Sequence, residues 1–137
     1  NVYSVETFRR LRDAVGETVG VNFDPSHLMW MGADPLAAIA ALDGAIYHVH
    51  AKDTRIDPDI AGLNGRIEFK PGERARERAW NYVTLGDGHG EAWWRQFCTA
   101  LHKVGYDDVL SIEHEDVSMT PLEGVRRSVE LLRRVMG

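Results

Sequence analysis

One cysteine, Cys98, stands in 137 residues. A lone thiol excludes an internal disulfide and suits a reducing cytoplasm. Between Phe97 and Leu101 on a helical pattern it reads as a core residue, the usual fate of a free cysteine. No apolar run approaches the roughly 20 residues of a membrane span, and no signal peptide is expected. A clustered basic stripe is also missing. Lys and Arg number 16 against 21 Asp and Glu, for a formal net charge of −5, and the basic cluster from Arg66 to Arg78 is broken by Glu68, Glu73 and Glu77. That balance argues against a nucleic-acid partner. Internal repeats and low-complexity tracts are absent too. The length suits one domain, spanning 1–137.

What the chain does have is an alternation of helix and strand signals. Ser4 caps a helix with Phe8, Leu11 and Val15 on one stripe, and Gly16 ends it. A strand from Val19 to Asp24 follows. Asp34-Pro35 opens a second helix in the cap-then-proline manner, buried through Leu36, Ile39 and Leu42 and ending at Gly44. The central strand runs from Ala45 to Ala51. Residues 52–90 show no sustained period and are expected to form a long loop that acts as a lid. Helix signals resume at Glu91, with Trp93, Phe97 and Leu101 on one stripe and Gly105 as the stop. A third strand from Asp108 to Glu113 follows. Thr120-Pro121-Leu122-Glu123 is a capping box that opens a last helix, with Leu122, Val125, Val129, Leu132 and Met136 as its expected buried stripe.

Each strand turns polar at its C-terminal end. With a period of two, Ile46, His48, His50 and Lys52 share one face, Asn22 and Asp24 another, and Ser111, Glu113 and Glu115 a third. Histidine and lysine on a buried face need partners. Asp, His and Glu from neighbouring strand ends make a mixed oxygen and nitrogen site, suited to a divalent cation such as Mn, Mg, Co or Zn.

Alternating helices and strands predict parallel strands joined by right-handed crossovers. A dinucleotide-binding sheet requires a glycine-rich turn after its first strand. Here that strand runs into Asp24-Pro25-Ser26-His27. Polar strand ends pointing to one side are what (β/α)₈ barrel enzymes require, but a whole barrel needs about 200 to 250 residues. The expected fold is therefore α/β, the C-terminal portion of a TIM barrel with about three βα units.

The segments Asn22-Phe23-Asp24-Pro25-Ser26-His27-Leu28, His48-Val49-His50-Ala51-Lys52-Asp53, Leu85-Gly86-Asp87-Gly88 and Gly105-Tyr106-Asp107 through Asp116 resemble the sugar phosphate isomerase/epimerase family, barrel proteins related to xylose isomerase and endonuclease IV. The resemblance implies strands six to eight of the barrel, with Asp24, His50 and Glu113 as ligands of a divalent metal. It makes Glu113 an acid/base as well, gives His27 a catalytic or substrate-oxygen contact, and makes Lys52 and Arg55 substrate contacts. A fourth ligand, a glutamate on the fifth strand, would precede Asn1. The implied activity is isomerisation or epimerisation of a sugar or sugar phosphate by proton transfer through an enediolate. The implied partners are a small carbohydrate and either a second copy or the N-terminal part of the barrel; a cytoplasmic location is expected.

Three other readings stand beside it. A keto-inositol dehydratase-like lyase begins with the same proton abstraction. An endonuclease IV-like phosphodiesterase needs an Asp-x-His metal pair where this chain has Trp80 and Tyr82. A non-catalytic partial barrel would bind without turnover. Among the remaining histidines, His48 is read as a hydrogen-bonded barrel residue, His114 as structural on the helix-facing side, and His89 as a helix-start residue near solvent. Glu73 to Arg78 read as a solvated helical turn.

Overall fold

A computed structural model describes residues 2–68 and 70–137. In chain order it contains α1 (Val5–Val15), β1 (Val21–Phe23), α2 (Pro25–Met31), α3 (Pro35–Ala41), β2 (Ile46–Ala51) and β3 (Asp53–Ile56). There follow α4 (Pro58–Asn64), a 3₁₀ turn (Gly72–Glu77), β4 (Trp80–Val83), α5 (Glu91–Lys103), β5 (Leu110–Ile112) and α6 (Pro121–Met136).

The three strands expected from the sequence form one parallel sheet in the order β1-β2-β5. They are shorter than their apolar runs, but the hydrogen-bond ladder continues past them. Val21 N–H donates to the Ala45 carbonyl at 2.8 Å and Glu113 N–H to the Ala51 carbonyl at 3.3 Å. Glu113 is thereby held as an extension of β5. In register, Asn22 lies opposite His48, and His50 opposite Ser111. The polar ends of the strands thus meet at one end of the sheet.

Proline explains most of the helix starts. Asp34 and Thr120 cap α3 and α6 with proline at the first helical position, as expected, and Asp24-Pro25 and Asp57-Pro58 do the same for α2 and α4. The fixed φ of proline suits that position and its missing N–H has no partner to lose there. In α1 the Ser4 hydroxyl accepts from Thr7 N–H, and Thr7 Oγ1 accepts from Ser4 N–H, a reciprocal cap.

The core lies between the sheet and α3, α5 and α6. It holds Phe23, Ile39, Val49, Ala51, Trp94, Phe97, Leu101, Leu131 and Val135, together with Cys98. The last helix differs from expectation. Gly124, Ser128, Leu131, Leu132 and Val135 are its buried residues, whereas Leu122, Val125 and Met136 are exposed. The reason is close approach: a Cβ on Gly124 would sit 2.0 Å from the His114 ring, so the contact face uses small residues that no apolar stripe reveals. On α1, Phe8 is buried while Leu11 and Val15 are exposed.

Residues 52–90 are not a structureless loop. β3 and β4 pair antiparallel, with Thr54 opposite Tyr82 and Ile56 opposite Trp80, and α4 and the 3₁₀ turn join them. Neither of those connecting helices buries a residue. Four-residue strands are too short to register as a period. Arg74 and Glu77 pair on the exposed 3₁₀ turn, in keeping with the solvated-turn reading.

Candidate metal and substrate site

Asp24 follows β1 and does two jobs. Its Oδ1 caps α2, accepting from Ser26 N–H at 2.9 Å and from the Ser26 hydroxyl at 2.6 Å. Its Oδ2 is buried with no hydrogen-bond partner. A buried carboxylate oxygen left unpaired is costly, and this one faces His50. The His50 Nδ1 is 3.6 Å from Asp24 Oδ2 and 2.8 Å from Glu113 Oε2. One atom from each of Asp24, His50 and Glu113 lies within 4.8 Å of the others.

The donor set fits a divalent ion. Two carboxylates and an imidazole match Zn, Mn, Co or Mg better than a soft metal, and the unpaired Asp24 Oδ2 is the oxygen such an ion would satisfy. The second ring nitrogen of His50 is also engaged: Nε2 is 3.3 Å from the Asn22 amide. With the amide O and N of Asn22 exchanged, a choice set by the hydrogen-bond network, the Asn22 oxygen accepts from Nε2–H. Nδ1 is then left as the lone-pair donor, the orienting arrangement typical of metal-bound histidine.

Lys52 is almost wholly buried, and its Nζ reaches Glu113 Oε1 at 3.0 Å and Glu115 Oε1 at 2.9 Å. Burial pushes the ammonium pKa down, but the hydrogen bonds to Glu115 and Glu113 outweigh it and hold the group above its ordinary value. Burial pushes Glu113 up, and its bond from Lys52 with the nearby Lys52 charge brings it below the usual carboxylate range. Lys52 is also 4.0 Å from the centre of the Tyr82 ring.

His27, on the first turn of α2, places Nε2 3.6 Å from Asp24 Oδ2 and Nδ1 3.0 Å from the Tyr82 hydroxyl. The structure thus brings Asp24, His27, His50, Lys52 and Glu113 together. It does not bring Arg55 there. Arg55 lies opposite Asn81 on β4, on the ribbon face away from Tyr82, and is exposed.

Sequence reading set Asn22 and Glu115 on the polar strand faces without a role of their own, and missed Ser26 and Tyr82 as parts of the site. Glu115 shares the period-two face of Glu113 and was legible; Tyr82 carried no local signal. His48 sits edge-on to His50 with ring centres 5.6 Å apart and, among the described residues, forms no side-chain hydrogen bond. His114 packs on α6 as expected, with Nε2 buried and unpaired. His89 is no loose helix-start residue: its Nδ1 lies 2.8 Å from Asp53 Oδ1.

Similarity to known proteins runs the length of the chain. The Xylose isomerase-like TIM barrel family matches residues 1–135. The chain is 47% identical over 135 residues to YfiH of Bacillus subtilis (strain 168), covering 98% of this chain and 43% of that protein. It is 31% identical over 110 residues to the rhizopine catabolism protein MocC of Rhizobium meliloti, covering 80% of this chain and 32% of that protein. A xylose isomerase domain protein from Planctomyces limnophilus has the same fold, with a TM-score of 0.68 at 23% identity over 96% of this chain and 43% of that one. The chain therefore spans less than half the length of the relatives it matches. It belongs to the xylose isomerase-like TIM-barrel family.

Proposed function

We propose that the chain supplies the metal-binding end of a sugar or sugar-phosphate isomerase or epimerase. The observation that carries this is the convergence of Asp24, His50 and Glu113 at the C-terminal ends of adjacent parallel strands, where barrel enzymes keep their chemistry. Asp24, His50 and Glu113 would hold the ion. When bound, a divalent ion there supplies Lewis-acid polarisation of a substrate carbonyl. Glu113 would take the carbon-bound proton as general base. Lys52 orients it through Oε1, and His27 and Tyr82 line the approach to Asp24. MocC, named for rhizopine catabolism, is compatible with a small-molecule substrate. A lyase that begins with the same proton abstraction stays within this reading.

The open outer edges of β1 and β5 and the exposed Leu122, Val125 and Met136 fit association with the rest of a barrel or with a second copy. Sedimentation of a stable, cooperatively unfolding monomer of this chain alone would refute it.

The functional test uses the complete polypeptide in D₂O with Mn, Mg, Co or Zn, following deuterium uptake into ketoses and sugar phosphates by NMR. Glu113→Gln should slow exchange at least about 10²-fold, the low end of what a positioned base contributes. In parallel, Asp24→Ala should weaken Mn binding in calorimetry. Cleavage of abasic DNA without any carbon-proton exchange would favour the phosphodiesterase instead.

A further inference from the structure

His27 stands at the Asp24 corner of the site with its side chain 50% exposed. Burial does not hold such a ring, and left to itself an open imidazole exchanges rotamers and proton positions with water. One neighbour holds it. The Tyr82 hydroxyl, 55 positions away in the chain, meets His27 Nδ1 at 3.0 Å, while Nε2 lies 3.6 Å from Asp24 Oδ2.

The surroundings decide which atom donates. A neutral imidazole carries its proton on one nitrogen and a lone pair on the other. Asp24 Oδ2 is a buried carboxylate oxygen without a hydrogen-bond partner, so it repels a lone pair on Nε2 and attracts an N–H there. The proton therefore belongs on Nε2, and Nδ1 accepts. Tyr82 can supply the donor. Burial raises the phenol above its ordinary pKa, against the Lys52 charge and the Trp30 N–H, so the hydroxyl keeps its proton.

The contact is built into the fold. Tyr82 lies opposite Thr54 in the ribbon, and the Thr54 hydroxyl donates at 3.0 Å to the carbonyl of Ser26, the residue before His27. The strand that carries the phenol is thus pinned to the helical turn that carries the imidazole. Lys52 Nζ, 4.0 Å from the centre of the Tyr82 ring, packs on its face.

We propose that Tyr82 is a positioning residue: it donates to His27 Nδ1, holds the imidazole in its Nε2–H form, and aims that N–H at a substrate oxygen beside Asp24. The inference rests on the carbohydrate reading above for its substrate, though not for the hydrogen bond itself. A sugar hydroxyl or carbonyl oxygen at this corner meets a donor already in place, without the cost of ordering a loose ring. Tyr82 acts only through His27.

Tyr82→Phe tests this, because it removes the hydroxyl and keeps the ring beside Lys52. In the complete polypeptide without metal, ¹⁵N NMR of the His27 ring is read at a pH well above the ordinary imidazole pKa of about 6.5. The unmodified protein should show Nε2 protonated and Nδ1 bare. In Tyr82→Phe the Nδ1 resonance should move as it loses its donor, and the two ring shifts should approach one another. With Mn, Tyr82→Phe should lower kcat/KM for carbon-proton exchange about three- to tenfold, the range of one neutral hydrogen bond, while Mn affinity stays within about twofold. In a His27→Ala background the same change should cost less than about twofold. A proton on Nδ1 in the unmodified protein overturns the proposal, as do His27 shifts unmoved by Tyr82→Phe or an equal rate loss with and without the imidazole. If the unmodified protein exchanges no substrate proton, the isomerase reading fails separately, and the NMR result decides the role of Tyr82 by itself.

Discussion

The parallel sheet and the antiparallel ribbon are built on different principles, though only Lys52 separates β2 from β3. The sheet is held by apolar burial: Phe23, Val49 and Ala51 face a core of Trp94, Phe97, Leu101 and Leu131. The ribbon and its helices offer little of that kind, and Leu63 and Ile67 lie almost fully in solvent. Buried carboxylates attach the ribbon instead. Asp53 Oδ2 accepts from the N–H groups of Gly86, Gly88 and His89 and from the Trp94 indole, while its Oδ1 accepts from Thr54 N–H. Asp116 accepts from Thr84 N–H at 2.9 Å and the Thr84 hydroxyl at 3.0 Å. The Thr54 hydroxyl donates to the Ser26 carbonyl at 3.0 Å. Apolar burial keeps the sheet that carries Asp24, His50 and Glu113 in place, whereas directional polar bonds set where the aromatic residues of the ribbon stand beside them.

The contrast breaks most sharply at Asp53. Asp53→Ala leaves several buried donors unpaired and should cost about 3 to 5 kcal/mol, the loss typical of removing one partner from a buried charged pair or network. Urea unfolding of the complete polypeptide reads it directly. A loss under 1 kcal/mol would mean that the ribbon is held some other way.

Asp116→Ala should cost about 1.5 to 3 kcal/mol near neutral pH, as bonds to a charged acceptor are lost. Burial pushes the Asp116 pKa up, but the Ser118 and Thr84 bonds bring it below its ordinary value of 3.8. Because the folded value lies below the unfolded one, the contribution of the charge is complete above the unfolded pKa. It disappears as the pH falls through the folded value. The gap between wild type and variant should therefore narrow below about pH 4, and a gap independent of pH would remove the charged bonds from the account.

Gly88→Ala should cost about 1 to 3 kcal/mol by overpacking. A Cβ there would meet the Thr54 carbonyl oxygen at 2.3 Å, and backbone cannot swing aside as a side-chain tip can. Thermal melts would show it. The smallest effect belongs to Arg55, on the ribbon face away from the triad. Arg55→Ala should leave the exchange rate within about twofold; a drop of tenfold or more would restore it as the substrate contact that the family resemblance implies.

Several of the site's features were written in adjacent residues. Period-two alternation put His50 and Lys52 on one face, and both reach Glu113. Asp34-Pro35 and Thr120-Pro121 announced the starts of α3 and α6; the same pairing opens α2 and α4, where Asp24-Pro25 was read only as the end of a strand and Asp57-Pro58 lay in an apparent loop. These signals are legible because a cap, a strand face or a helix stripe is decided within a few residues by backbone geometry.

Tertiary structure alone decided which partners those residues meet. Lys52 and Glu113 are 61 positions apart, and Tyr82 and His27 are 55 apart. Nothing near Asp24 in the chain says that one carboxylate oxygen caps a helix while the other is left buried and unpaired. Gly124 and Ser128 likewise became the contact face of α6 because His114 needed the space, displacing the more apolar Leu122 and Val125 to the surface. Polar bonds and close approaches are short-ranged and directional, so they take their values only after packing has brought distant strands and helices to within a few ångströms of one another.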